Sequence, residues 1–203
     1  MNITIPTELF IKITLDDKEV VPFRKSHSLV RNYYRSLMNC TMGMANTVVL
    51  STQVVDTGGT NRENAVGRMF YYDGNTVSVP TNNSTYGIQV GSGSTAEAYT
   101  DNKLATQILS GSIAGKLTYA TMSLTYGGVA PTKTRTITRT FINNSGGDVS
   151  VNEVGYVVGF VTGFAPTTYW YILYARDVLT STITVADEST LGVQYTFSYT
   201  FPT

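Results

Sequence analysis

The chain has 203 residues, with Lys plus Arg (14) equal to Asp plus Glu (14). Only 14% of its residues are charged, against roughly 25% in an average globular protein. There is no basic excess to meet phosphates, which speaks against nucleic acid as a partner. One cysteine, Cys40, excludes a disulfide-stapled scaffold.

The first 25 residues read as strands. Ile3 and Ile5, then Leu9, Ile11 and Ile13, alternate with polar residues, and Pro6 forces a break or an edge position. This start lacks the basic n-region and continuous apolar stretch of a signal peptide. No run approaches the roughly 18 apolar residues of a membrane span. The expectation is a product kept in the cytoplasm or released without a secretion signal. Asp16-Asp17-Lys18 is a turn, and "EVVPF" a short extended piece.

A helix is predicted over 28–46. Leu29, Tyr33, Leu37, Cys40 and Met44 recur at helical spacing, Arg31, Asn32, Arg35, Ser36 and Asn39 fill the opposite face, and Ser26 or Ser28 can cap the start. The apolar face is read as core packing, with an oligomer interface as the alternative.

Residues 47–114 read as a loop-rich insertion. "TVVLSTQVV" is strand-like, "DTGGTNREN" is a loop, and Asp73-Gly74-Asn75 signals a hairpin between "RMFYY" and "TVSVP". From 115 to 203 the chain is almost continuous β. In "TKTRTITRTFI", Arg135, Ile137, Arg139 and Phe141 share one face; Thr134, Thr136, Thr138 and Thr140 share the other, suited to a solvated or partner-facing surface. "TTYWYILY" is apolar on both faces, so it is predicted to be a central strand. Strands at regular spacing with Gly/Asn/Asp turns imply a mainly β single domain, an antiparallel β-sandwich (jelly-roll or immunoglobulin-like) carrying one amphipathic helix.

Candidate sites are few. Gly91-Ser92-Gly93-Ser94-Thr95-Ala96 fits a dinucleotide fingerprint, and Ser94 with Glu97 makes a capping box for a short second helix. No parallel strand with a carboxylate follows, so a capped loop is the better reading. Carboxylates for hydrolysis would come from Asp56, Asp73, Asp148, Glu153 and Asp177, and no spacing selects a pair. Arg176-Asp177 reads as a structural ion pair or turn anchor. His27, the only histidine, and Cys40 lie too far apart along one segment to form a dyad. Acceptor triplets at Asn2, Asn39, Asn82 and Asn143 follow from composition and would not be glycosylated without a secretion signal. In "FINNSGGDVSVNEVGY", Asp148 and Glu153 offer too few oxygens for calcium. The stretch is predicted to be a register-setting hairpin with Asn144 and Gly146-Gly147 at positive φ. No catalytic, cofactor-binding or metal-binding residue is assigned.

The ordered segments "SHSLVRNYYRSLM", "GIQVGSGSTAEAYTDNKLATQI", "TRTFINNSGGDVSVNEVGY", "YWYILYARDVL" and "TVADESTLGVQYTFSYTF" cover most of the chain. Together they resemble a group of tailed-bacteriophage virion structural proteins. The resemblance implies a non-enzymatic particle component in many copies, with itself and other capsid or tail proteins as partners and no catalytic residues to carry over. Head decoration or another exterior layer is the first expectation; a tail, collar or fibre-attachment position is the alternative. The chain departs from the group at Asp187-Glu188, where the turn typically carries Gly. The rival from another class is a receptor- or host-glycan-binding module, with Tyr86, Tyr99, Tyr126 or Phe164 exposed.

Overall fold

The computed structural model describes residues 7–26, 28–42, 53–62, 79–162 and 168–201. In chain order the elements are β1 (Thr7–Leu15), β2 (Lys18–Lys25), α1 (Arg31–Met42), β3 (Val54–Val55), β4 (Asn61–Arg62), β5 (Gly87–Gly91), β6 (Thr118–Tyr119), β7 (Ser123–Gly127), β8 (Thr132–Ile142), β9 (Val149–Thr162), β10 (Thr168–Val185) and β11 (Thr190–Thr200). Among the described residues the protein is mainly β with one helix. All strand pairings within the described residues are antiparallel.

The larger sheet runs β2-β1-β11-β8, with β6 and β7 both continuing along the far side of β8. Period-two alternation places its inward residues. Leu9, Ile11 and Ile13 of β1, Leu191, Val193, Tyr195 and Phe197 of β11, and Ile137 and Phe141 of β8 are all buried. The β1–β2 turn is tight because Asp16 and Asp17 take φ of 47° and 62°, a conformation short polar side chains tolerate. Within the stretch read as almost continuous β, the chain breaks between β6 and β7 and buries Met122.

The smaller sheet is β10-β9-β5. Its residues Ile88, Val90, Val154, Tyr156, Ile172 and Tyr174 belong to the same buried cluster as the inward face of the larger sheet. Tyr156 and Tyr33 both pack on Phe197, with ring centroids 5.9 and 6.1 Å away. Three expectations are corrected here. "YWYILY" lies in β10, the edge strand, and β9 is central. Both β10 faces are apolar because Ile172 and Tyr174 join the main cluster while Leu173 and Tyr171 pack with Val30, Val157 and Tyr86; its edge is covered by the main chain before α1, where Val30 N donates to Tyr174 O and Arg176 N to Ser28 O. Thr168–Val185, within the region expected to hold strands at regular spacing separated by turns, forms one long strand interrupted by bulges. And β5, within the stretch read as a loop-rich insertion, is a full sheet member.

The helix starts at Arg31, three residues later than predicted, and is turned on its axis. Its inward side is Asn32, Tyr33 and Ser36, while Leu37 is exposed. Asn32 explains the rotation: its amide bonds both ways with β3, Nδ2 to Val55 O (2.8 Å) and Oδ1 from Val55 N (3.0 Å). The side chain of Cys40, together with His27, Met44 and the Asp73-Gly74-Asn75 hairpin, lies outside the described residues.

The "NNSGGD" stretch is not a hairpin. β8 belongs to the larger sheet and β9 to the smaller, so the loop crosses between sheets. Asn143, fully buried, organises it. Its Nδ2 donates to Gly147 O and Val185 O (2.7 Å each), and its main chain bonds Ser189 O and Glu188 N. The β10–β11 turn, which crosses back, is thereby tied to the first crossing. Asp187 Oδ1 adds a bond from Gly146 N (2.9 Å). Of the residues expected at positive φ only Gly146 takes it; Glu188 takes it in the other loop.

Arg139, on the inward face of β8, is 1% exposed. Its guanidinium donates to the carbonyls of Pro80, Asn83, Tyr86, Ile88 and Ala120 and stacks over the Tyr119 ring at 4.8 Å. Desolvation lowers its pKa to about 10, so it stays charged at neutral pH. Five main-chain acceptors in an irregular loop are satisfied by one side chain. Arg139→Met should therefore destabilise the fold by roughly 3 kcal/mol or more, since buried acceptors are left unmade; urea denaturation measures this.

Buried tyrosines set the alkaline limit. Desolvation raises the pKa of Tyr119 from 10 to about 12, and burial raises Tyr156, Tyr195 and Tyr199 in the same direction. The unfolded chain releases these protons first, so stability is intact below pH 10 and falls as pH rises toward 12. Arg139 acts with opposite sign in that window, one group against four. A pH titration of the denaturation midpoint should show a net loss beginning near pH 10, Tyr119 alone contributing roughly 2–3 kcal/mol.

Candidate functional site

The glycine-rich segment is the first candidate, and its main-chain donors are already occupied. Glu153 of β9 is fully buried and turns its carboxylate into the segment. Oε1 accepts from Gly93 N (3.2 Å) and Thr106 N (2.8 Å), and Oε2 from Ala105 N (3.0 Å) and Arg176 Nε (2.8 Å). A Cβ at Gly91 or Gly93 would stand 2.5 Å from Oε1, so both positions need glycine for the carboxylate to approach. The cradle that could hold a nucleotide phosphate holds the chain's own carboxylate. No helix follows the segment. Glu97 does not close a capping box; its Oε1 accepts from Val178 N (2.6 Å) on β10.

Arg176 completes this centre. It is 2% exposed and continues from Glu153 to Asp101 (2.7 Å) and the carbonyls of Thr95 (2.8 Å) and Ala96. Desolvation lowers its pKa, and the hydrogen bonds to Asp101 and Glu153 outweigh that, leaving it raised. Arg176 and Asp177 do not pair with each other, because successive strand residues face opposite ways. Glu153 stands opposite Val178 and Arg176 opposite Gly155, so the ion pair is a diagonal neighbour pair on one sheet face.

Asp177 forms a separate centre. Its carboxylate accepts from Ser26 Oγ (2.8 Å), Ser28 Oγ (2.6 Å) and Tyr195 OH (2.7 Å), and all four residues are buried. The two serines expected to cap the helix are committed here. Burial, and then the Asp177 charge, hold the Tyr195 phenol well above its ordinary value. With Asp177 3% exposed, no hydroxyl in the cluster is open to a substrate.

The other carboxylates are dispersed. Asp56 binds Arg62 Nε (2.6 Å) and Thr60 N (2.8 Å). Asp148 is exposed, and Asp73 lies outside the described residues. No group of three or more His, Cys, Asp or Glu positioned to hold a metal ion occurs among the described residues. Asn143 is buried and bonded as above, Asn82 is exposed, and Asn2 and the Asn39 side chain fall outside the described residues.

Two open surfaces remain. A cleft of about 410 Å³ is lined by Thr57, Ser84, Gln89, Lys103, Gln107 and Leu109, among others. Gln89 and Gln107 both donate their amides to Ser84 O. No carboxylate lines it, so it holds no acid–base pair for hydrolysis. The outer face of the larger sheet is a grid of hydroxyls. One row crosses Thr125, Thr136, Thr196 and Phe10; the next crosses Ser123, Thr138, Gln194 and Lys12. Thr136 and Thr196 share a hydrogen bond at 3.1 Å, and Thr132 and Thr200 one at 3.2 Å. Charge is confined to the β1–β2 side, where Lys12–Glu19 and Lys25–Glu8 pair.

The aromatic candidates separate. Tyr86 is half-buried and stacked on Tyr171, Tyr126 stands exposed at the end of β7, and Phe164 lies outside the described residues. Tyr99 is exposed beside Tyr34 of α1, centroids 6.2 Å apart. Tyr34 was missed by sequence reading because helical spacing put it next to the apolar stripe.

Comparison with protein-family models, with curated proteins and with solved structures found no match. No helix among the described residues is long and apolar enough to cross a membrane.

Glu153→Gln should cost about 3–5 kcal/mol, because it removes one of the two carboxylates that neutralise the buried Arg176 charge. Hydrogen exchange should show the amides of Gly93, Ala105 and Thr106 losing protection well before the β8–β11 ladder. Equal exchange in both regions would contradict a pinned segment.

Proposed function

We propose that the chain is a non-enzymatic structural component of a tailed-phage virion, assembled in many copies on the particle exterior. Head decoration is the placement we favour, with a tail, collar or fibre-attachment position as the alternative. In this reading the two sheets form an antiparallel β-sandwich of jelly-roll or immunoglobulin-like type. The partners are copies of itself and other capsid or tail proteins, with neither nucleic acid nor membrane involved.

The observation that carries the assembly part is the hydroxyl grid on β7, β8 and β11. A β-branched hydroxyl face loses less on desolvation than a charged one and is already held in place by cross-strand bonds. Protein interfaces are likewise depleted of charge at their centres. The buried charges support the non-enzymatic part: Glu153, Arg176, Asp177 and Arg139 are spent on holding main chain. The phage assignment rests on the ordered sequence segments.

A second reading, a host-glycan-binding module, is favoured by the exposed Tyr34–Tyr99 pair, since paired aromatic rings offer faces for sugar stacking. Tyr99→Ala should abolish cell or glycan binding under that reading and leave particle assembly unchanged under the first. The deciding measurement is electron microscopy of purified virions, expected to show the protein in multiple exterior copies. A stable monomer absent from virions overturns the structural reading.

A further inference from the structure

Several strand edges among the described residues are guarded or covered, and β7 contrasts with them. β2 carries Pro22, the charges of Lys18, Glu19, Arg24 and Lys25, and register irregularities against β1, all devices that stop an edge from pairing further. The β10 edge is covered by the main chain at Ser28 and Val30, and the β5 edge by Thr106–Ile108. β6 is met by Asn82 N at Tyr119 O. Among the described residues no main chain pairs with the outer edge of β7. Its sequence, Ser123-Leu124-Thr125-Tyr126-Gly127, has no charge and no proline and runs in unbroken register along β8.

We propose that β7 pairs antiparallel with β7 of a second copy across a two-fold axis, joining two larger sheets into one. This deepens the self-assembly reading above, and rests on it, by naming the contact. Two features select a second copy as the occupant. On a two-fold axis a residue meets its own equivalent, so a charge there would meet its like; β7 has no charge at any register, whereas β2 has four. Full overlap of the five residues puts the axis at Thr125, opposite its own copy, and Leu124 opposite the partner's Tyr126. Ser123 and Thr125 then continue the hydroxyl rows from one sheet into the next. On the other face, Tyr126, 76% exposed in the single chain, lies over the half-buried Leu124 of the partner subunit.

Cysteine trapping tests the register. Opposed Cα atoms in an antiparallel pair are about 4.5–5.5 Å apart, within the roughly 4.4–6.8 Å that a disulfide spans. In a Cys40→Ser background, Thr125→Cys should give a disulfide-linked dimer on mild oxidation, much faster than Thr180→Cys on the exposed part of β10. Thr125→Lys should weaken self-association at least about tenfold in sedimentation velocity, since like charges would face each other, with the circular dichroism spectrum unchanged. Cross-linking at 125 no faster than at 180, or sedimentation indifferent to Thr125→Lys, overturns the proposal. So does a segment of the same chain occupying β7, which would block the cross-link. A chain monomeric in solution that still enters virions removes this contact and leaves the assembly reading intact; a chain that dimerises through Thr125 but never enters virions does the reverse.

Discussion

The smaller sheet depends on one buried ion pair. Glu153 and Arg176 sit diagonally on neighbouring strands, and together they hold residues 93–106, a stretch with almost no regular structure. A loop of that length packed on a sheet presents main-chain donors and acceptors that water cannot reach. The carboxylate takes the donors and the guanidinium takes the acceptors. Because each charge neutralises the other, the desolvation cost that would forbid either alone is offset. Arg139 applies the same solution without a carboxylate, using only carbonyl dipoles and the Tyr119 ring. Asn143 applies it without charge, where the two crossings between sheets meet.

These centres explain a chain that is poor in charge and yet buries several charged side chains. With one helix and long connections among the described residues, irregular main chain has few partners of its own. Side chains from rigid strands supply them, which is why the buried charges Arg139, Glu153, Arg176 and Asp177 lie on β8, β9 and β10. The outer face of the larger sheet carries the opposite chemistry: short, neutral, regularly spaced hydroxyls with no internal bond to make beyond their neighbours. Interior and exterior are divided between charge that is spent and polarity that is uncommitted.

Much of the larger sheet was legible in the sequence. The alternation of Ile137, Arg139 and Phe141 against the threonines reads correctly, as do Leu9, Ile11 and Ile13, because period two needs no knowledge of the partner strand. The misreadings share a cause, the long-range partner. "NNSGGD" carries every local turn signal, and nothing local says that the flanking strands enter different sheets. Both-face apolarity of "YWYILY" marked covered faces, and the cover on its edge came from residues more than a hundred positions earlier. Gly91 and Gly93 resembled a phosphate loop because the group they approach lies sixty positions on. One signal was available: Glu153 in "VNEVGYVV" and Arg176 in "ILYARDVL" are lone charges inside apolar strands, and such charges are rarely buried unless they pair.

The position of β11 has a consequence for how the molecule is made. It lies between β1 and β8, bonded to both along nearly its whole length, and it is the last of the described strands to leave the ribosome. Until then β1 and β8 have no common neighbour, and the inward faces of both stay open. Folding of the larger sheet therefore awaits β11, whose pairing with β1 joins Thr7 to Tyr199 across most of the described chain. Such long-range pairing is slow and leaves strand edges exposed while it proceeds. In that interval Pro22 and the charges of β2 matter most, by keeping half-made sheets from joining each other before each has closed on itself.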